Sequence, residues 1–264
     1  MADMNPVLAE ILATKTVAAP DGSTVPLNYE ISPEEGAALQ RLIRELKPRV
    51  TLEVGCAYGV STLYICEALA EVGGERHIVI DPFQEQGWKG LGLFSAKRAG
   101  FADLIEFHNE PSYLALPSLV KAQRRVDFAL IDGWHTFDYV MVDFFYVDLL
   151  LAVGGIAMLD DTGFYPAIRK VARYIATHRR YAPIDNGIRP TFSAKRRALN
   201  AVSALLGTQP LRAATKYILR PDILQPDSAL GLPGGNFIAF RKVTDDPLGD
   251  GSHGTRRWDQ HMDF

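Results

Sequence analysis

Short apolar runs alternate with longer amphipathic patterns along the chain from residue 32 onward. In the longer patterns apolar residues recur three and four positions apart, which predicts helices, and the short runs are typical of buried strands. The strands are predicted at Val50–Val54, His77–Ile80, Leu104–Phe107, Val126–Ile131 and Ile156–Leu159. The helices are predicted at Pro33–Leu46, Ser61–Glu71, Trp88–Ala99, Tyr113–Ala122, Phe137–Leu151 and Pro166–His178.

This alternation predicts an α/β fold with a doubly wound parallel sheet. Ser32 offers an N-cap for the first helix, with a proline after it and a Glu three residues on. Two further strands are expected at Arg180–Ile184 and Phe237–Phe240, with the segment 186–235 inserted between them. Ligands of doubly wound sheets bind at the carboxyl ends of the strands, so the chemistry is expected just after each strand.

The charge balance excludes a dedicated nucleic-acid binder. The 264 residues include 28 Lys and Arg against 31 Asp and Glu, a net charge of −3, whereas nucleic-acid-binding domains carry a positive excess. No apolar run reaches the roughly 18 residues of a membrane span, and the first residues lack a signal-peptide pattern. Because Cys56 and Cys66 are the two cysteines, we expect a reducing, cytoplasmic location and no disulfide framework.

The segment 186–221 contains seven basic residues and no acid. Charge runs usually lie on a solvated surface, so a solvated helical excursion is one interpretation. Two further interpretations of the segment are a basic lid over an anionic or sugar-bearing substrate and a contact within a homo-oligomer. Without this segment the rest of the chain has a net charge of −10, so the small overall charge averages two opposed regions.

The strand at Val50–Val54 runs into a glycine-containing turn. Gly55 and Gly59 permit a tight turn and the close approach of a ligand. The dinucleotide-binding fingerprint would require glycine where the chain has Ala57 and Val60, and the Gly-Lys-Ser/Thr of a P-loop is also absent from the sequence. A dehydrogenase is therefore disfavoured.

The pattern Glu53-x-Gly55-x-x-x-Gly59 resembles motif I of the class I S-adenosylmethionine-dependent methyltransferases. The resemblance implies a Rossmann-like fold of seven strands with an antiparallel last strand. It implies that Asp81 binds both ribose hydroxyls, which suits a bidentate carboxylate, and that Glu53 acts near the methionine amino end, through its charge or through water. The further cofactor-binding residues are expected to be Gly55, Tyr58, Gly59, Ser61, Ser112, Asp132 and Trp134.

Two of these residues keep an alternative interpretation. Ser112 follows a strand whose end departs from the Gly-Asp-Ser or Gly-Asp-Ala of many relatives, so the adenine-side contact stays open, and Ser112 could equally cap a helix. Trp134 could equally be a core aromatic residue.

Three acids follow two strands that should be neighbours in the sheet, at Asp132, Asp160 and Asp161. Three unpaired carboxylates at one edge repel each other unless a cation shares them. Hard divalent ions such as Mg²⁺ prefer oxygen ligands, so we expect a metal site here. The alternative is that one acid caps the following helix and another contacts the cofactor.

The sequence around these acids resembles the family-24 methyltransferase group and the metal-dependent O-methyltransferases of antibiotic sugars, and more loosely catechol O-methyltransferase. In those relatives the corresponding acidic or amide residues hold Mg²⁺. The resemblance covers about residues 32–178, and residues 236–242 fit the antiparallel last strand. We therefore expect a methyltransferase domain at 32–242 that contains the insertion 186–235, an N-terminal extension at 1–31 and a polar tail at 243–264.

His135 lies three residues after Asp132 and is the expected catalytic base, because an imidazole suits proton removal near neutral pH. The resemblance then implies Mg²⁺-assisted methylation of a hydroxyl on a small molecule. A metal-independent small-molecule methyltransferase, a cephalosporin-hydroxylase-like protein and a non-catalytic cofactor-binding protein stay open. An amine methyltransferase of nucleic acids would usually carry Asn/Asp-Pro-Pro-aromatic after the fourth strand, where this chain has Asp132-Gly-Trp-His.

Overall fold

Seven strands form one central sheet in the computed structural model, which describes residues 4–28, 30–185, 187 and 227–245. The elements in chain order are α1 Pro6–Thr14, β1 Thr16–Ala18, β2 Thr24–Pro26, α2 Pro33–Leu46, β3 Val50–Val54, α3 Val60–Glu71, β4 Arg76–Ile80, α4 Leu91–Arg98, β5 Ile105–His108, α5 Ser112–Lys121, β6 Val126–Ile131, α6 Phe137–Leu150, β7 Leu151–Leu159, α7 Pro166–His178, β8 Tyr181–Ile184 and β9 Ile238–Lys242.

The strand order in the sheet is β5-β4-β3-β6-β7-β9-β8. Strands β3 to β7 pair in parallel, and β9 is antiparallel to both β7 and β8. The prediction of a seven-stranded, mostly parallel sheet with an antiparallel last strand is therefore confirmed. The order reverses at β3, so the carboxyl ends of β3, β4 and β6 border the crevice where such sheets bind ligands.

Alternate residues of the strands point to opposite faces of the sheet, and each face has its own core. Leu52 and Ala129 belong to the core that includes residues of α5, α6 and α7. Phe128 and Leu130 belong to the other core, which includes residues of α1, α2, α3 and α4. The strands are apolar almost throughout because both faces are covered.

The N-terminal residues pack onto the second of these cores. Leu8 and Ile11 of α1 and Val17 of β1 have no exposed surface. Asn5 caps α1 through its side chain and donates through Nδ2 to Ala99 O at 3.1 Å. The described part of the N-terminal extension is thus continuous with the domain, which the sequence patterns did not predict.

Most element boundaries agree with the predictions, and two differ for local reasons. Helix α4 begins at Leu91 and not at Trp88, because Gly90 before it has a left-handed backbone with φ 69°. Strand β7 begins at Leu151 and not at Ile156, because α6 ends at Leu150 and passes directly into it.

Several expectations fall on residues outside the described ones. The basic part of the insertion, which would form the lid, the excursion or the oligomer contact, lies there, and so do residues 246–264 of the tail. Among the described residues, no helix combines the length and the apolar character that crossing a bilayer needs.

Candidate active site

The glycine loop after β3 is shaped by close packing against the end of β6. Gly55 has φ 90°, and a Cβ placed on it would lie 2.1 Å from the carbonyl oxygen of Asp132. Gly59 has φ 84°, and a Cβ there would lie 2.8 Å from Gly92 O. Both glycines are therefore required by the backbone conformation and by neighbouring backbone. The loop and the β6 end form one surface as a result.

Asp81 lies at the carboxyl end of β4 and holds this loop. Its Oδ2 accepts hydrogen bonds from the backbone N–H groups of Cys56 and Ala57 at 3.1 and 3.0 Å, and its Oδ1 accepts from Phe83 N at 2.8 Å. The side-chain amide of Gln84 also donates to Oδ2, at 3.0 Å. The expected ribose-binding acid is thus fixed beside the glycine loop.

A recess lies between the glycine loop, the β6 end and the segment before α2. Six of its lining residues are Glu30, Ile31, Cys56, Tyr58, Ser61 and Asp132. Tyr58, Ser61 and Asp132 are among the expected cofactor-binding residues, whereas Glu30 and Ile31 were not predicted. They come from the N-terminal region, where no motif marks them and tertiary packing alone brings them to the recess.

Glu53, the acid of motif I, is fully buried at the base of the same loop. Its Oε2 accepts a hydrogen bond from Thr62 Oγ1 at 2.5 Å, and Nε2 of His77 lies 3.3 Å from the same oxygen. Its Oε1 is buried and has no hydrogen-bond partner among the described residues. An unpartnered carboxylate oxygen favours a positively charged group or an N–H donor next to it. Glu53 therefore fits the amino group at the amino-acid end of a cofactor.

Asp132 and Asp161 meet His135 at the carboxyl ends of β6 and β7. His135 Nε2 lies 3.5 Å from Asp132 Oδ1 and 3.2 Å from Asp161 Oδ2. One ligand atom from each of the three residues lies within 4.8 Å of the other two. Nε2 is buried and makes no hydrogen bond with the described residues.

Asp160 is buried next to this cluster and is already bonded on one side. Its Oδ1 accepts from the backbone N–H of Asp161 at 2.5 Å and from Asn236 Nδ2 at 3.1 Å. The same amide nitrogen lies 3.0 Å from Asp161 Oδ1. Asp161 has a left-handed backbone with φ 57°, an uncommon conformation that Asp tolerates better than most residues. Asn236 was not predicted to belong to the site.

Burial and repulsion between carboxylates raise the pKa values of two acids at this site. Burial raises the pKa of Asp132 to about 6. Burial first, and then the charges of Asp132 and Asp161, raise the pKa of Asp160 well above its usual value. The Asp132 carboxylate raises the pKa of His135. These carboxylates therefore lack enough positive charge around them.

The donor set of the cluster fits a hard divalent cation. Asp132 and Asp161 provide carboxylate oxygens, which Mg²⁺ prefers, and His135 Nε2 lies between them. Asp160, also an expected ligand, is not one of the three residues whose ligand atoms lie close together. The alternative that one of these acids caps the following helix is wrong, because neither α6 nor α7 has a side-chain cap.

Aromatic side chains surround the cluster. The ring of Tyr165 stacks on His135 with centroids 4.5 Å apart and planes 13° apart. Trp134 is 58% exposed, which rules out a core role, and its ring lies 6.4 Å from that of Phe83. Phe164 is also exposed. The rim of the site is therefore apolar around an acidic centre.

Ser112 is the first residue of α5, just after the carboxyl end of β5. The N-cap is Pro111, so Ser112 does not cap the helix. It is buried near Asp143 of α6, whose two oxygens are buried without a hydrogen-bond partner among the described residues. Because β5 is parallel to β4, Ser112 lies at the same edge of the sheet as the other expected site residues, and its role in adenine binding stays a prediction.

Comparison with known proteins finds a similar domain in the middle of the chain. Residues 52–162 match a family model described as a methyltransferase domain. This segment is therefore similar to methyltransferase domains. It contains the last three residues of β3, all of β4 to β7, the glycine loop, Asp81 and the acidic cluster, but not Asn236.

Curated relatives agree with this family. The chain is 29% identical over 151 residues to tapetum-specific methyltransferase 1 of Arabidopsis thaliana. The aligned region covers 56% of this chain and 61% of that protein. It is 29% identical over 161 residues to a caffeoyl-CoA O-methyltransferase of Populus kitakamiensis, with 60% and 63% covered. The chain thus spans about three-fifths of the length of these relatives.

Solved structures share the fold of this methyltransferase domain. An O-methyltransferase from Bacillus cereus in complex with SAH superposes with a TM-score of 0.57 at 20% identity, over 70% of this chain and 84% of that one. The O-methyltransferase TomG from Streptomyces achromogenes, in complex with SAM, gives 0.54 at 20% identity, over 69% and 82%.

Proposed function

We propose that this protein transfers the methyl group of S-adenosylmethionine to a hydroxyl group of a small molecule, with help from a divalent cation such as Mg²⁺. The observation that carries the proposal is the cluster of Asp132, His135 and Asp161 beside the glycine loop. A proton acceptor next to hard oxygen ligands suits the methylation of a weakly acidic hydroxyl.

The cofactor is bound by the residues around the glycine loop. Asp81 would accept hydrogen bonds from the ribose hydroxyls, and Glu53 would lie near the amino group of the methionine end, with Tyr58 and Ser61 lining the recess. S-adenosylmethionine supplies the methyl group on a positively charged sulfur. The acids at the recess, including Glu30 and Asp132, favour a positively charged ligand over a neutral one.

The acidic cluster prepares the acceptor. Asp132, Asp160 and Asp161 would hold the cation, whose charge would lower the pKa of a nearby hydroxyl. His135 would accept the proton of that hydroxyl, which would leave its oxygen free to take the methyl group that the cofactor supplies. Tyr165 holds the imidazole plane by stacking. The exposed rings at the rim favour an acceptor with a flat apolar part.

A metal-independent methyltransferase is the second candidate. It is favoured by the hydrogen bonds that already occupy Asp160 Oδ1, from Asp161 N and Asn236 Nδ2. In that case the acids would be structural, and His135 would act as the base without a cation.

Calorimetric titration of the full chain separates these functions. S-adenosylhomocysteine should bind, and Mn²⁺ as a probe for Mg²⁺ should bind to the wild type and lose its affinity in Asp132→Ala. Methyl transfer to a panel of phenols, sugars and hydroxylated acids should then stop on addition of chelator. Absence of S-adenosylhomocysteine binding would contradict the methyltransferase, whereas activity that survives the chelator would contradict the cation alone.

A further inference from the structure

Beneath the glycine loop, a chain of four polar side chains connects β3, β4 and α3. Thr51 Oγ1 lies 2.9 Å from His77 Nδ1, and His77 Nε2 lies 3.3 Å from Glu53 Oε2. Thr62 Oγ1 donates to the same Glu53 oxygen at 2.5 Å. All four residues have no exposed surface. Bulk water therefore cannot replace any of these contacts.

Strand pairing fixes the geometry of this chain. Thr51 and His77 lie opposite each other in the parallel register of β3 and β4, and Glu53 is two residues further along β3 on the same face. The His77 imidazole on β4 therefore reaches the Glu53 carboxylate on the neighbouring strand β3. Thr62 approaches from the first turns of α3, whose N-terminal end favours a negative charge nearby.

The chemistry of a carboxylate sets the direction of these hydrogen bonds. An ionised Glu53 can only accept, so its Oε2 needs a donor from both Thr62 and His77 Nε2. In a neutral ring His77 Nδ1 is then an acceptor, and the Thr51 hydroxyl donates to it. Thr51 thereby selects the tautomer that directs an N–H toward Glu53.

One oxygen of Glu53 is thus held by two donors, while the other, Oε1, has no hydrogen-bond partner among the described residues. Leaving a buried carboxylate oxygen unpaired is costly, so a positively charged donor from a ligand would be favoured at Oε1. We propose that His77 is a positioning residue, which holds Glu53 so that Oε1 is available to the ammonium group at the methionine end of the cofactor. This inference rests on the proposed function.

Two ligands separate this role from a general contribution to the fold. S-adenosylhomocysteine has the amino-acid end, whereas 5′-methylthioadenosine lacks it and keeps the adenosine. A residue that merely supports the sheet would affect the binding of both ligands equally. A residue that positions Glu53 should affect the first ligand alone.

The experiment measures both dissociation constants by calorimetry for the full chain and its variants. His77→Leu should weaken S-adenosylhomocysteine about tenfold, which corresponds to about 1.4 kcal/mol, and leave 5′-methylthioadenosine unchanged. His77→Gln, whose amide nitrogen can take the place of Nε2, should keep most of the affinity. An unchanged ratio of the two constants in His77→Leu, or an equal loss in both variants, would overturn the proposal.

A milder variant covers the case in which His77→Leu does not fold. Thr51→Val removes the hydroxyl while keeping the shape, and releases the tautomer of His77 without touching Glu53. It should weaken S-adenosylhomocysteine severalfold relative to 5′-methylthioadenosine, and an unchanged ratio would again overturn the proposal. Failure of the wild type to bind either ligand would contradict the proposed function instead.

Discussion

The side-chain amide of Asn236 donates a hydrogen bond of 3.0 Å to Asp161 Oδ1, although 75 positions separate the two residues in the chain. The same nitrogen lies 3.1 Å from Asp160 Oδ1. The backbone oxygen of Asn236 in turn accepts from Thr162 N and Oγ1 at 2.9 and 2.8 Å. The loop after β7 is thereby fixed by the residue that precedes β9.

Asn236→Leu should therefore weaken binding of a divalent cation. Removing the shared donor releases two like-charged carboxylates from a common orientation, and loss of such supporting contacts typically costs about 10- to 100-fold in metal affinity. Titration with Mn²⁺, followed by electron paramagnetic resonance, measures this loss. S-adenosylhomocysteine should bind as in the wild type, and equal weakening of both ligands would show that Asn236 supports the fold and not the acids.

The acids themselves could be predicted from the sequence, while Asn236 could not. Asp132 and Asp160 directly follow buried apolar strands, and the ends of adjacent parallel strands necessarily meet. Asn236 reaches the site because β9 returns antiparallel beside β7 after a long insertion. No local pattern encodes which residue of that return faces the acids.

The contribution of N-terminal residues to the recess could not be predicted, for a related reason. Glu30 lines the recess because α1 and the β1–β2 hairpin pack on the helices of one face, burying Leu8 and Ile11. Periodicity identifies apolar faces but not their partners. The glycine loop was recognised from its motif, although the structure adds that Gly55 is required by the nearby Asp132 carbonyl.

Asp81→Asn should weaken the cofactor while leaving the fold intact. The asparagine oxygen can still accept from the glycine loop, but an amide nitrogen replaces the other carboxylate oxygen and can accept neither from Phe83 N nor from a ribose hydroxyl. Hydrogen bonds to charged groups contribute roughly 1.5–3 kcal/mol, so S-adenosylhomocysteine affinity should fall by about one order of magnitude or more. Calorimetry measures the affinity, and unchanged affinity would remove Asp81 from the ribose site.

His135→Gln should lower turnover without changing cofactor affinity. Loss of a positioned general base typically reduces the rate about 10²- to 10⁴-fold. The nearby Asp132 raises the pKa of His135, so the free base accumulates as the pH rises through that pKa, and wild-type turnover should increase in the same direction. A pH profile of kcat for both proteins is the measurement. An identical profile in the variant would exclude His135 as the base.

Two buried carboxylates on α6 should respond in opposite ways to removal of their charge. Burial raises the pKa of Asp143 to about 6, although the nearby Ser112 hydroxyl acts in the opposite direction. Asp148, also buried, is paired with Arg179, accepts from Tyr181 Oη at 2.7 Å and lies 3.5 Å from Lys242 Nζ. The first acid is uncompensated, and the second is the centre of an ion-pair network.

Because the pKa of Asp143 is higher in the folded protein than in the unfolded chain, the native state holds this proton more tightly. Its ionisation therefore destabilises the fold progressively between about pH 4 and pH 6, and the full penalty remains above that range. A shift of about two pH units corresponds to about 3 kcal/mol. Asp143→Asn should raise the free energy of unfolding by up to that amount at pH 8 and change it little at pH 4.

Asp148→Asn is the matched control for this prediction. It removes a charge from the same helix but breaks the ion pairs of that carboxylate with Arg179 and Lys242, which should destabilise the fold by about 3–5 kcal/mol. Urea unfolding of both variants at pH 4 and pH 8 measures the two effects. If Asp143→Asn were destabilising at pH 8, the carboxylate would have to gain a favourable contact when it ionises. The stabilisation by Asp143→Asn would then not increase with pH. In that case burial would not be the main cause of the raised pKa of Asp143.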